Sequence, residues 1–144
     1  MRQTIGIDTY DVPTVRSFTQ ATLAAPGAVM LYLSGFTARN EQGIVSHHGD
    51  VAAQTHLLLQ QMQRVVEKAG GAMEDAVKIT TFVIDPEDIP TVATIRLEYF
   101  GDPGPASSTV AVSRLFDPEQ LVEIEAMVPI ALERLTVPMT SSPD

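Results

Sequence analysis

Cysteine and tryptophan are absent from this chain of 144 residues. Without cysteine the chain can form no disulfide, offers no thiolate nucleophile and cannot ligate zinc through sulfur, which fits a reducing compartment. Basic residues are also few, since nine Lys and Arg stand against 18 Asp and Glu, for a formal charge of −9. No cluster of Lys or Arg supplies the basic stripe that a polyanion requires, so nucleic acid is not expected as a partner.

Long apolar runs are missing as well. No stretch approaches the roughly 18–20 apolar residues that span a bilayer, and the first eight residues lack the apolar core of a signal peptide. We therefore expect a soluble, cytoplasmic protein without a membrane partner. Its length favours one domain over residues 1–137, followed by a flexible tail over residues 138–144 that is rich in Pro and Ser.

Two amphipathic helices are predicted. Apolar residues recur every three or four positions over residues 50–69, from Val51 to Ala69, and include Val65. Asp50 suits the N-cap and Gly70 the C-terminal stop of this helix. A shorter helix is predicted over residues 90–100, because a proline at its first turn costs no hydrogen bond and a glycine follows its end.

Strands are predicted over residues 29–33, 77–84, 109–112 and 121–129, with two weaker candidates near residue 4 and over residues 18–23. The segment 121–129 alternates most clearly: its even-numbered residues are apolar, and its odd-numbered residues include Glu123 and Glu125. The order β-β-β-α-β-α-β-β predicts an α+β fold in which one six-stranded mixed sheet carries both helices on one face.

The other face of that sheet has no cover within the chain. It carries Leu121 and Met127, among others, and is too apolar to be left wholly in water. We expect subunits to associate through this face with cyclic symmetry, which creates clefts between subunits. Such clefts are the default place for a small-molecule site.

Candidate chemical groups are few, and each has a plainer alternative. If subunits bury the open sheet face, Glu123 would be desolvated and suited to proton transfer near neutral pH; otherwise it is a solvated strand residue. Ser34 and Gly35 end a strand, where a ligand can approach the backbone, but an ordinary tight turn is equally consistent. His47 and His48 are adjacent and point apart, so no metal site is expected.

Several segments, in order along residues 17–130, resemble the RidA family, also called YjgF or UK114. They are Leu33-Ser34-Gly35, Asp50-Val51-Ala52-Ala53-Gln54-Thr55, Val65 to Gly70, Val77 to Val83, Glu98-Tyr99-Phe100, Pro105-Ala106 through Val112, and Val122 to Ala126. The resemblance implies a chorismate-mutase-like fold and a homotrimer whose sheets line a central barrel. It also implies sites in the intersubunit clefts that hydrolyse enamines and imines to 2-oxo acids and ammonia, without a metal or organic cofactor.

The chain departs from that family at three site positions. Deaminating members carry an arginine after Pro-Ala, where this chain has Ser107, and a serine hydroxyl cannot reproduce a bidentate grip on a carboxylate. Phe18 stands in place of a tyrosine, and Thr109 in place of cysteine or another small residue. Ser34, Gly35 and Glu123 are retained, and Glu123 matches the carboxylate that positions or activates water in the family.

We therefore expect an imine, enamine or related carbonyl compound as the ligand, neutral or weakly anionic, and not standard 2-imino acid deamination. Glu123 is the expected catalytic residue. The expected substrate-binding residues are Ser34, Gly35, Phe18, Ser107, Thr109 and Arg114. Arg16, Arg39 or Arg114 could replace the missing guanidinium, although a structural role is the simpler reading of Arg114. The alternative is a trimeric ligand-binding protein without catalysis; the family's old endoribonuclease label fits the acidic composition poorly.

Overall fold

The computed structural model describes residues 3–8 and 18–137. Its strands are β1 (Thr4–Ile7), β2 (Ala21–Ala24), β3 (Val29–Phe36), β4 (Lys78–Val83), β5 (Ala106–Ala111) and β6 (Val122–Ile130). Its helices are α1 (Val51–Lys68), between β3 and β4, and α2 (Ile89–Phe100), between β4 and β5. The predicted α+β class and element order are therefore confirmed. The predicted tail over residues 138–144 lies outside the described residues.

The strands form two sheets rather than the single six-stranded sheet expected from the sequence. One sheet has four strands in the order β3-β6-β4-β5; β6 is antiparallel to both of its neighbours, and β4 and β5 are parallel. β1 and β2 form a separate antiparallel pair. Side chains help to attach this pair: the Thr4 and Thr22 hydroxyls donate to the carbonyls of Asp75 and Val77, each at 2.5 Å.

Two strand boundaries differ from the prediction in ways that affect the site. β5 begins at Ala106, three residues earlier than expected, because its parallel register with β4 starts at the pair Lys78↔Ala106. Ser107 is therefore a strand residue with a fixed side-chain direction. β2 begins only at Ala21, so Phe18 precedes the strand that was predicted to contain it.

The two helices pack on one face of the four-stranded sheet, as predicted. The core unites the buried sides of the helices with alternate residues of the strands; its fully buried members include Leu58, Leu59, Met62, Val66, Ile79, Val83, Val122, Ile124 and Val128. Val65 was expected in the apolar stripe but is 43% exposed. Its neighbour Val66 takes the buried position, because adjacent helical residues point about 100° apart. None of the described helices is long and apolar enough to cross a membrane.

The opposite face of the sheet, which we call the open face, carries the odd-numbered residues of β6 and their cross-strand neighbours. Its members are Tyr32, Lys78, Thr80, Phe82, Ser108, Val110, Glu123, Glu125 and Met127. Tyr32 is 72% exposed, and Val110 and Met127 are also exposed. Apolar side chains therefore face solvent on a single chain.

A buried glutamine joins α1 to the loop that leads into β6. The Gln54 side chain donates from Nε2 to the Glu119 carbonyl at 2.9 Å and accepts from the Leu121 backbone N–H at 2.9 Å. Because Gln54 is completely buried, these two bonds satisfy polar atoms that would otherwise be costly to desolvate. They fix the chain two residues before Glu123.

Asp50 caps α1, as the sequence predicts, by accepting a hydrogen bond of 3.0 Å from the Ala53 backbone N–H. We expect Asp50→Ala to lower the free energy of unfolding by about 1 kcal/mol, because one N–H of the first turn loses its acceptor. Urea denaturation measures this change. Asp50→Asn, which keeps an accepting oxygen, is the matched control and should lose much less; equal losses would contradict the capping role.

Candidate functional site

Glu123 lies against a bulge in the neighbouring strand. Between the pairs Leu33↔Ala126 and Phe36↔Ile124, β3 has one residue more than β6, so Ser34 and Gly35 together oppose a single residue. Such an extra residue bends a strand and re-aims its neighbours. A Cβ atom added to Gly35 would lie 1.8 Å from Oε1 of Glu123. The half-buried Glu123 carboxyl therefore occupies the space that the missing side chain of Gly35 leaves.

Ser107 and Thr109 lie around a buried arginine that the sequence analysis did not single out. Arg96 of α2 donates from Nη1 to the hydroxyl oxygens of Thr81 at 2.7 Å, Thr109 at 3.1 Å and Ser107 at 3.4 Å. Ser107 and Thr109 are two residues apart on β5 and so share its helix-facing side. The three hydroxyls form a cluster around one guanidinium nitrogen.

Burial makes Arg96 an unusual cation. Only 4% of its surface is exposed, and its Nε is buried without a hydrogen-bond partner. Desolvation lowers the pKa of Arg96 to about 10, so the side chain remains charged at neutral pH. Within residues 3–8 and 18–137, no carboxylate forms an ion pair with it. Three neutral hydroxyls are thus its only hydrogen-bond partners in the described chain.

Phe18 lies beside the start of β5. The next residue, Thr19, forms a parallel bridge with Ala106, and its N–H donates to the Pro105 carbonyl at 3.1 Å. This places the half-exposed Phe18 near the edge of the sheet that also carries Ser107. The structure therefore brings Phe18, Ser107 and Thr109 to one edge, and Ser34, Gly35 and Glu123 to the bulge on β3.

These two groups lie on opposite faces of the sheet within one chain. Glu123 pairs with Phe82 across β4, and Phe82 pairs with Val110 on β5, so all three side chains point to the open face. Ser107 and Thr109 alternate with Val110 and point towards the helices. A single copy therefore does not bring the predicted catalytic and substrate-binding residues into one pocket.

The arginines predicted to replace the missing guanidinium are engaged elsewhere. Arg114 donates to the carbonyls of Leu115 and Phe116 in its own loop, each at 3.2 Å. Arg39 donates from Nη1 to the Gly43 carbonyl at 2.8 Å and so stabilises the turn between β3 and α1. Arg16 lies outside the described residues. Neither Arg39 nor Arg114 contacts Ser34, Ser107 or Glu123.

A sequence signal for Arg96 existed. Val92 and Phe100 are apolar residues of the second helix, and Arg96 is four residues from each of them. Residues four apart share one helical face, so a charged residue between two core positions points into the core. In the described part of the chain, no group of three His, Asp or Glu side chains could hold a metal ion.

Comparison with known protein families assigns this chain to one of them. A model of the Endoribonuclease L-PSP family matches residues 11–130. The chain belongs to the Endoribonuclease L-PSP family. Its relatives and structural neighbours include proteins named after RutC and Rid, so the RidA-type resemblance drawn from the sequence motifs is confirmed.

Two curated relatives illustrate the similarity. The 3-aminoacrylate deaminase RutC of Acinetobacter baylyi is 34% identical over 98 residues, which are 68% of this chain and 77% of that protein. A 2-iminobutanoate/2-iminopropanoate deaminase of Dermatophagoides farinae is 34% identical over 100 residues, 69% of this chain and 77% of that protein. Among solved structures, YyfB of Yersinia pestis, from the Rid family, has a TM-score of 0.79 at 26% identity, covering 89% of this chain and 99% of that chain.

The contact between Gly35 and Glu123 can be tested by a double-mutant cycle. We expect Gly35→Ala to lower the free energy of unfolding of the wild type by about 1 kcal/mol, because the new methyl group displaces the carboxyl. The same change in a Glu123→Ala background should cost less, with a coupling energy of at least about 0.5 kcal/mol.

Urea denaturation of the four proteins gives this coupling. The entropy that alanine removes from the unfolded chain is the same in both backgrounds and cancels in the cycle. Additive effects would mean that the carboxyl does not occupy the space above Gly35.

Proposed function

We propose that the protein hydrolyses a small imine or enamine to a carbonyl compound and ammonia, with Glu123 as the acid–base group. The observation that carries the proposal is the half-buried Glu123 carboxyl held against the side-chain-free backbone of Gly35, one residue after the Ser34 hydroxyl. A glycine there leaves room for the carboxylate against the main chain, where any side chain would displace it. Two relatives are named as deaminases of an enamine and of imines, and they support the same reaction class.

The proposed reaction needs one group that exchanges a proton with water and with nitrogen. Glu123 accepts a proton from water as the water oxygen bonds to the C=N carbon of the imine. The same carboxyl then gives this proton to the nitrogen, which forms a carbinolamine. It next carries the proton of the new hydroxyl to the nitrogen, the C–N bond breaks, ammonia leaves and a C=O group remains. An enamine first becomes an imine, when a proton moves from its nitrogen to its carbon, and then reacts in the same way. Ser34 is a hydrogen-bond donor for the reacting groups in this scheme.

We further propose a site shared between copies in a homotrimer. Glu123 and Ser107 lie on opposite faces of the sheet, so they can serve one pocket only when different copies contribute them. Association through the open face would also cover Tyr32, Val110 and Met127, all exposed on a single chain. Cyclic assembly then repeats the same cleft at each interface.

The replacement of a family arginine by Ser107 sets the expected substrate apart from simple 2-imino acids. A serine on β5 offers one neutral donor, whereas a guanidinium offers two parallel donors and a charge. The positive charge that stabilises a bound carboxylate must therefore come from a group outside β5. We do not expect turnover of standard 2-imino acids if Ser107 and its neighbours on β5 are the only groups that hold the substrate carboxylate.

Glu123→Gln tests the chemistry. We expect this isosteric change to lower kcat by about a hundredfold to ten-thousandfold on imines generated in situ, because the amide cannot accept the proton of water. Glu125→Gln is the matched control, since Glu125 lies two residues further along the same strand face, opposite Thr80, and has no part in the proposed reaction.

The expected pattern is a loss for Glu123→Gln and near wild-type turnover for Glu125→Gln, with unchanged circular dichroism for both. Equal turnover by all three proteins would contradict the role of Glu123. Ligand binding by the wild type without any turnover would favour the non-catalytic binding protein instead.

Mixing of variants tests the shared site. Light scattering should give a particle of three times the chain mass of 15.5 kDa. Glu123→Gln and Ser107→Leu should each be inactive alone, whereas a refolded equal mixture should regain about a quarter of the sites, because each site takes the two groups from different copies. A monomeric particle, or a mixture that stays inactive while both variants form trimers, would overturn the shared site.

A further inference from the structure

The guanidinium of Arg96 is a buried charge without a counter-charge. Removing a cation from water costs several kcal/mol unless hydrogen bonds and an opposite charge compensate, and buried cations in proteins are therefore paired as a rule. Arg96 has three hydroxyl acceptors on Nη1 and an unpartnered Nε, and no described carboxylate reaches it. An anion near this cluster would supply the missing compensation.

The hydroxyls around Arg96 are oriented by it. A serine or threonine hydroxyl has one proton to donate and lone pairs to accept. Because Arg96 donates to the oxygens of Ser107 and Thr109, the protons of these hydroxyls point away from the guanidinium. Both residues are only partly buried, so their protons can reach a ligand. The pair therefore presents two donors with a positive charge behind them.

The spacing of these donors limits the size of the anion. The hydroxyl oxygens of Thr109 and Ser107 lie 3.1 and 3.4 Å from the same nitrogen, Nη1 of Arg96, so they are close enough together to reach one small anion. One carboxylate has two oxygens, each of which can accept an O–H···O hydrogen bond of about 2.7 Å, so it can take both donors. The single buried cation balances a single negative charge. A carboxylate fits both the distance and the charge, whereas a doubly charged phosphate would leave one charge uncompensated in a protein that already carries −9.

We propose that Arg96, acting through the hydroxyls of Ser107 and Thr109, binds the carboxylate of a small organic acid at the β5 edge and so makes the protein selective for anionic substrates. The inference rests on the proposed imine hydrolysis and names the substrate class. It replaces the expectation of a neutral or weakly anionic ligand, which assumed that no arginine lies near the site of a chain with a net charge of −9. Arg96 is a positioning residue here: the hydroxyls touch the ligand, and the guanidinium orients them and supplies the charge.

Binding of a matched pair of stable ligands tests this assignment. The probes are 2-oxobutanoate and its neutral amide, 2-oxobutanamide, titrated by NMR into the trimer. The wild type should prefer the carboxylate by about tenfold or more, as hydrogen bonds to charged groups exceed those to neutral ones. Arg96→Met should reduce this preference to about one, and Arg96→Lys should restore part of it, since a lysine keeps the charge but not the planar fork.

Arg64→Met is the matched control. Arg64 is exposed on α1, so its replacement changes the net charge by the same amount far from the hydroxyl cluster. It should leave the preference for the carboxylate unchanged. Loss of the preference in both variants would assign it to overall charge and would overturn the proposal, as would an unchanged preference in a correctly assembled Arg96→Met trimer.

A second variant keeps the test decisive if Arg96→Met does not fold. Ser107→Ala combined with Thr109→Val removes both outward donors and leaves the guanidinium in place. It should also abolish the preference, and retention of the preference would overturn the proposal. In the wild type, the preference should persist at neutral pH and fall as the pH rises through about 10, where the pKa of Arg96 lies and the buried cation loses its proton.

The outcomes separate this inference from the proposed reaction. If Glu123→Gln abolishes turnover while Arg96→Met binds the acid and the amide in the wild-type ratio, the reaction stands and the anion site fails. If no imine is turned over but the preference depends on Arg96, the anion site stands and the reaction fails. A wild-type trimer that binds neither probe would overturn the ligand assignment.

Discussion

The alternation of side chains along β6 and its two neighbours divides the chemistry of this protein between two faces. Even-numbered residues of β6 enter the core beneath the helices, and odd-numbered residues, including Glu123, point to the open face. Because the period of a strand is two, a shift of one residue in the register would exchange these faces completely. The carboxylate and the hydroxyl cluster of β5 are thus kept apart in every single chain. Any site that uses both must be built by association.

The buried charge of Arg96 restricts which residue can occupy position 107. The Ser107 hydroxyl is 3.4 Å from Nη1 of Arg96, on the helix-facing side of an edge strand. An arginine side chain at position 107, where the resemblance to deaminating RidA proteins places one, would direct a second guanidinium towards the first, and like charges at such distances repel strongly in a dry environment. The small serine and the buried helical arginine are therefore compatible with each other in a way that two arginines are not. A cation reaches this edge from the helix and not from the strand.

Most of the fold could be predicted from local patterns, and the site only in part. The sequence predicts α1 from its apolar stripe and its Asp50 cap, and it predicts β6 from the alternation of apolar and polar residues. These signals can be read because each depends on residues close in sequence. The separation of β1 and β2 into their own sheet could not be predicted, since the position of this pair depends on long-range contacts such as that of the Thr22 hydroxyl with the carbonyl of Val77, 55 residues away. The contact between Glu123 and Gly35 depends on the bulge in β3. This bulge could not be predicted, because it is defined only by the pairing of β3 with β6.

The acidic composition and an anionic substrate are compatible because they act over different distances. A net charge of −9 repels small acids at long range, but salt screens exposed charges beyond about 8 Å. The charge of Arg96 is buried, so its field at the β5 edge is screened much less than that of the exposed carboxylates. Selectivity at this edge is therefore decided by the nearest buried charge and by the direction of two hydroxyl protons. An acid that reaches the edge meets a locally positive surface on a protein that is negative as a whole.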